Sequence, residues 1–199
     1  MNKPIILASG SEIRQNLLRN ASVLFQVLPV KIDEVAIRDS MMADGAKPRD
    51  IADQLAEFKA RRASQKMPEA LIIGCDQVLD FNGTVLGKPE SPAEARLQLD
   101  ALNGAEHRLQ SAAVIYEAGK PVWRHVGTVK LVMRTASSAY LDDYVARNWD
   151  SIRHSVGGYK LEEEGVRLFH RIEGDYFNVL GLPLLELLAY LTLKGLIPG

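Results

Sequence analysis

With 199 residues, 47% of them hydrophobic and 25% charged, the chain has the balance of an ordinary globular protein and can bury a sizeable core in one domain. A formal net charge of −1 and the absence of a Lys/Arg block argue against a nucleic-acid partner, whose phosphates call for a basic face. The one cysteine, Cys75, excludes an intramolecular disulfide and a cysteine zinc framework, and no apolar run approaches the ~20 residues of a membrane span, so the expected setting is a reducing cytoplasm away from membranes.

In chain order, Ile5 to Ala8 is a short apolar run between Pro4 and Ser9-Gly10-Ser11. It is too short for a signal peptide and is expected to be a buried first strand followed by a turn. Glu12 to Arg19 carries Ile13, Leu17 and Leu18 at helical spacing, with Ser11 as N-cap. Phe25 to Val30 is expected to be a second strand, and the polar stretch from Met41 to Lys47 a mobile loop. Asp50 to Lys66 predicts an amphipathic helix with Ile51, Leu55 and Phe58 on its apolar face, from which Lys59, Arg61 and Arg62 point away. Leu71 to Cys75 and Val78 to Phe81 predict strand, and Asn82-Gly83 a hairpin turn into Thr84 to Leu86. Ser91, Pro92 and Glu94 open a helix that runs to Leu102. A second hairpin pairs Arg108 to Tyr116 with Val122 to Met133 across a turn at Glu117 to Lys120. Ser137 to Arg147 and Leu184 to Leu193 complete the helices. Interleaved strands and helices, interrupted by two hairpins, predict a mixed α/β fold: a mixed sheet with flanking helices.

Several groups could carry chemistry. Ser9-Gly10-Ser11, followed by Arg14, would set free backbone N–H groups and a guanidinium at a helix start, which suits a phosphate; on pattern alone, a plain cap with a surface arginine is commoner. Asp33-Glu34 could hold a divalent cation or be two solvated loop acids. Asp76 follows Leu-Ile-Ile-Gly-Cys at the carboxyl end of a strand, where α/β proteins gather ligands and where a carboxylate can act as general base on water. Gly87-Lys88-Pro89 would present a lysine to a phosphate, and Lys59 could do the same, although a solvated helix lysine is the usual case. Neither a Walker P-loop nor a Gly-x-Gly-x-x-Gly fingerprint is present. Glu162, after the glycine-rich Gly157-Gly158, could accept hydrogen bonds from a base edge. His107, His125, His154 and His170 show no metal-ligand spacing and are expected to be structural or surface residues.

Taken together, these segments resemble the Maf family of nucleoside triphosphate pyrophosphatases over nearly the whole chain, as a single domain spanning residues 1–199. The family's opening motif, Ser-x-Ser-Pro-Arg-Arg, reads here Ser9-Gly10-Ser11-Glu12-Ile13-Arg14. It is followed in the family's order by Asp33-Glu34, Leu55-Ala56-x-x-Lys59-Ala60, Asp76-Gln77-Val78, Gly87-Lys88-Pro89, Gly157 to Glu162 and Gly174 to Leu184.

The resemblance implies a two-lobed mixed sheet with a central cleft. It also implies a divalent cation (Mg²⁺ or Mn²⁺) as cofactor and a small-molecule nucleotide as partner; a homodimer is a candidate assembly. By position, Asp76 matches the catalytic acid. Ser9, Ser11, Arg14, Lys59 and Lys88 match the phosphate-handling residues, and Glu34 with Asp76 the metal site. Glu12 and Ile13 depart from the motif. Ile13 stands at a position that helps choose the base, where pyrimidine-type members carry Arg with Thr after the catalytic Asp. Gln77 and Glu162 look more like the subgroup acting on 7-methyl-GTP. The implied activity is hydrolysis of a non-standard, purine-leaning triphosphate to monophosphate and pyrophosphate. The alternative is a nucleotide-binding regulator of cell division with little turnover.

Overall fold

In the computed structural model, which describes residues 3–199, the chain begins β1 (Ile5–Leu7), α1 (Glu12–Asn20), β2 (Gln26–Val27), α2 (Glu34–Ala43) and α3 (Pro48–Ser64). There follow β3 (Leu71–Phe81), β4 (Thr84–Leu86), α4 (Pro92–Leu102), β5 (Glu106–Glu117), β6 (Lys120–Met133) and α5 (Ser138–Ile152). Two 3₁₀ turns lead to β7 (Phe169–Glu173), the short α6 (Tyr176–Val179) and α7 (Leu184–Leu193). The seven strands form one mixed sheet in the order β2-β1-β3-β5-β6-β7, with β4 also on β3. The two pairs made by β1 are parallel and the others antiparallel. The predicted mixed α/β class is what the chain adopts.

The pairing of β3 creates the cleft. One edge of β3 is paired with β5 from Leu71 to Asp80. The other edge is shared: β1 pairs with Leu71–Ile73, and β4 with Leu79–Phe81. Between them, residues 74–78 have no strand beside them on that edge among the described residues, so backbone polar groups there open onto the cleft that Asp76 also lines. Such groups need other partners, and the Cys75 carbonyl finds one in the Arg14 guanidinium at 3.1 Å.

Alternation along the strands divides the core. Ile6, Ile72, Val78, Ala112 and Val114 face α3. Leu7, Ile73 and Cys75 face the opposite way, into a cluster with α1 and α7. Leu79, Leu109 and Leu131 continue that second face into a cluster with α4 and α5.

Most expected elements are present, with instructive differences. The second strand is only Gln26–Val27; Leu28 still donates to Leu7, but Pro29 has no N–H and ends the ladder. Met41 to Ala43 are not loop but the last turn of α2, a helix opened by Asp33, whose side chain accepts from the Ala36 N–H at 3.0 Å. The two segments flanking Asp76-Gln77 are one continuous strand. Asn82 and Gly83 turn with φ of 53° and 84°, as a two-residue hairpin requires. The second hairpin is tighter than expected, because Glu117 and Lys120 pair and only Ala118-Gly119 turn. α5 runs on to Ile152. β7 had no sequence expectation: four of its five residues are exposed on the sheet's outer edge, so no buried alternation marks it.

Candidate active site

A cleft of about 1040 Å³ opens at the interrupted edge of β3. At its centre, Asp76 (6% exposed) accepts from Lys59 (8% exposed) at 2.5 Å. The same ammonium bonds Glu34, at the start of α2, at 2.7 Å. Lys59 does not leave the apolar face of α3 as expected. It lies on the buried stripe with Leu55, Ala56 and Ala60, while Phe58 is the partly exposed residue. Gly74 brings α3 this close, since a Cβ there would stand 2.3 Å from the Ala56 carbonyl oxygen and 2.5 Å from the Ala60 nitrogen.

Electrostatics keep Lys59 and Glu34 ionised. Burial works to neutralise the Lys59 ammonium, but the charges of Asp76 and Glu34 outweigh it and hold its pKa above the ordinary lysine value. Burial likewise works to raise the Glu34 carboxyl. The charge and hydrogen bond of Lys59, helped by Lys88 and Arg14, win and hold it below the usual carboxylate value.

Ser9, Ser11, Ile13 and Arg14 line the cleft beside this triad. Ser11 occupies the N-cap position of α1, but its side chain caps nothing. Instead the buried Ser9 hydroxyl accepts from the Ser11 N–H at 3.2 Å and from Arg14 at 3.4 Å. Arg14 is thereby fixed from two sides, and Gly181 leaves room for it on a third. Lys88, exposed on the loop after β4, and Glu162, exposed after the glycine turn, also line the cleft. Gln77 borders it from the opposite face of β3 to Asp76. Its NH₂ group is occupied by Ser111 Oγ and the carbonyls of Asn178 and Val179 at 2.9–3.0 Å.

The cleft also contains residues that were not site candidates. His154, expected to be structural or surface, is exposed on its wall. Arg38 of α2 and the buried Gln98 of α4 line it too. Arg38 could have been found had Asp33 been read as an N-cap, because it then falls one turn after Glu34 on the same helical face.

Among the described residues, no cluster of three or more His, Cys, Asp or Glu side chains could hold a metal. The donor set is instead two carboxylates, Glu34 and Asp76, converging on one ammonium. That set fits an ion of the magnesium type, which takes one or two protein carboxylates and completes its shell with phosphate and water.

The profile of the Maf-like protein family matches residues 4–193. The chain belongs to the Maf family. A Maf relative in Ruegeria sp. (strain TM1040), named nucleoside triphosphate pyrophosphatase, is 63% identical over 197 residues, 99% of both chains. One of the same name in Ruegeria pomeroyi is 61% identical, again over 99% of both chains. A more distant Maf relative in Mesorhizobium japonicum, named 7-methyl-GTP pyrophosphatase, is 43% identical over the full length of both chains. In this Maf chain no helix among the described residues is long and apolar enough to cross a membrane.

Proposed function

We infer that the chain is a nucleoside triphosphate pyrophosphatase, hydrolysing its substrate to the nucleoside monophosphate and pyrophosphate. The observation that carries this reading is the buried Asp76–Lys59 pair, joined by the half-exposed Glu34, facing a cleft edged by Arg14 and Lys88. A triphosphate is strongly anionic, and hydrolysis needs cations placed around it more than it needs covalent chemistry.

Lys59 engages one oxygen of Asp76, and the other has no partner among the described residues. That oxygen is the proton acceptor for a water attacking the α-phosphorus. As the new P–O bond forms, the α–β anhydride bond breaks and pyrophosphate departs with the bonding pair. Arg14 and Lys88 offset the charge that builds on the phosphates. Glu34 and Asp76 are the residues that would hold Mg²⁺ or Mn²⁺. When bound, such an ion supplies further neutralisation of the phosphate oxygens. The setting in this reading is the cytoplasm, and the partner a free nucleotide.

Within that class we read the base as a modified purine, 7-methyl-GTP being the leading example. With the Gln77 NH₂ group engaged, the charged acceptor left for readout is Glu162, which has no partner among the described residues and can accept from the N1–H and amino group of a guanine. The name of the 43%-identical relative supports this choice, whereas the names of the relatives at 61–63% support the broader class.

A panel of triphosphates with Mg²⁺ or Mn²⁺, followed by pyrophosphate release, tests both levels. Release is expected and should fall by about 10²–10⁴-fold in Asp76→Asn, the range for loss of a general base. No release from any triphosphate would overturn the assignment. Release from canonical pyrimidine substrates alone would overturn the purine reading.

A further inference from the structure

We propose that Arg38 is a phosphate-binding residue that, together with Lys88, grips the pyrophosphate half of the substrate. The proposal rests on the pyrophosphatase reading above and adds to the cleft a residue that the sequence comparison did not single out.

Three observations carry it. First, Arg38 has no structural task that explains its position. Its side chain is 25% exposed, and its one bond among the described residues runs from Nε to Asp39, its chain neighbour, whose side chain is 61% exposed. An ion pair of that kind contributes little to stability. The helix that carries Arg38 has no buried residue, so the guanidinium is not there to fill a core.

Second, both terminal nitrogens are free of protein partners among the described residues, and the side chain lines the cleft. A planar guanidinium with its fork unoccupied in a polar cleft is built to take two oxygens of one phosphate.

Third, the loop opposite leaves room for it. A Cβ at Gly87 would lie 2.7 Å from Arg38 Nη1. Gly87 is not among the glycines with positive φ, so its backbone does not demand glycine; the space for Arg38 does. The residue after Gly87 is Lys88. Arg38 from α2 and Lys88 from the loop after β4 therefore flank one stretch of cleft, while Glu34, one turn earlier on α2, joins Lys59 and Asp76 at the centre. Attack occurs at the α-phosphorus beside Asp76 and base readout lies at Glu162. The remaining cationic stretch is left for the β- and γ-phosphates, which gain charge as the anhydride breaks.

The test uses the full chain in steady state with the triphosphate that wild type hydrolyses best, and with inhibition by inorganic pyrophosphate and by the monophosphate product. Arg38→Ala should raise KM by about tenfold and weaken inhibition by pyrophosphate to a similar degree, the loss expected for a charge-assisted phosphate contact. Inhibition by the monophosphate should change less than about twofold, and Arg38→Lys should recover part of the loss because a point charge replaces the fork. Gly87→Ala should weaken pyrophosphate inhibition in the same direction, by displacing the flexible end of Arg38 without altering charge. Arg62→Ala, which removes an equal charge from α3 outside the cleft, should leave both constants unchanged.

Equal KM and pyrophosphate inhibition in Arg38→Ala and wild type would overturn the proposal. So would an effect confined to the monophosphate, or an equal effect from Arg62→Ala. Calorimetric binding of inorganic pyrophosphate to wild type and Arg38→Ala reads the grip without turnover. Failure of wild type to release pyrophosphate would sink the activity, whereas indistinguishable calorimetric affinities would sink the role of Arg38.

Discussion

Lys59 holds two carboxylates in one place that would otherwise repel. Its ammonium bonds the buried Asp76 at 2.5 Å and the half-exposed Glu34 at 2.7 Å. A lysine whose pKa is raised on folding adds stability that is complete below the unfolded value of 10.5 and lost as pH rises through the folded one. A glutamate whose pKa is lowered adds stability that is present above 4.5 and lost as pH falls through its folded value. The two windows overlap across the neutral range, where Lys59 and Glu34 are both charged. Lys59→Met leaves Asp76 buried without its counter-charge, a loss on the order of 3–5 kcal/mol in urea unfolding at pH 7. The same change frees Glu34 from the ammonium that holds its carboxyl down, so the acid limb of the kcat/KM profile should move to higher pH. Unchanged stability together with an unchanged acid limb would show that Lys59 is not the keystone of the cluster.

At the level of elements, the site depends on how closely α3 lies on β3, and Gly74 sets that distance. A methyl group at this position meets backbone atoms of α3 at 2.3 and 2.5 Å, and neither can rotate away. Gly74→Ala should therefore push the helix outward, lowering stability by about 1–3 kcal/mol as overpacked cores do, and carrying Lys59 away from Asp76. Thermal unfolding and KM should both worsen; a variant with wild-type melting and wild-type KM would refute the role of the close approach.

Element scale is also where the sequence was most and least legible. Strong periodicity, caps and the Asn82-Gly83 turn made α4, α7 and the first hairpin readable, because those signals are local. The order of motifs carried the family. What could not be read was anything decided by pairing between distant segments. Lys59 was legible as a candidate phosphate ligand, but not as a buried residue on the apolar stripe of α3, because its burial depends on Asp76 across the α3–β3 contact. Gln77 looked like a base reader, but its NH₂ is held by Ser111 and by carbonyls contributed from α6. Arg38 is hidden in the sequence because Asp33-Glu34 reads as a cation site or as two solvated acids, and only the bond from the Ala36 N–H to the Asp33 side chain reveals the helix that carries Arg38 along the cleft.

At the scale of the whole molecule, overall stability should carry a proton-linked loss that originates outside the site. His107 of β5 is 1% exposed and shares a hydrogen bond of 2.7 Å between its Nε2 and the hydroxyl of the buried Tyr159, against the ring of Phe169. Its Nδ1 has no partner among the described residues. Burial pushes the imidazole from 6.5 down to about 4, because no nearby carboxylate rewards a charge there. Between those two values the unfolded chain takes up a proton that the native chain refuses, so native stability must fall as pH is lowered through this window. At pH 5 the unfolded imidazole is almost fully charged and the native one almost fully neutral, giving a deficit of about 2 kcal/mol relative to pH 7. Replacing both partners together, in His107→Phe/Tyr159→Phe, removes the proton uptake while leaving no single orphaned polar group behind. Urea unfolding at pH 7 and pH 5 should show wild type losing about 2 kcal/mol more than the double variant. The carboxylates common to both proteins cancel in that difference, so equal losses would mean that His107 takes up its proton in the native fold as readily as in the unfolded chain.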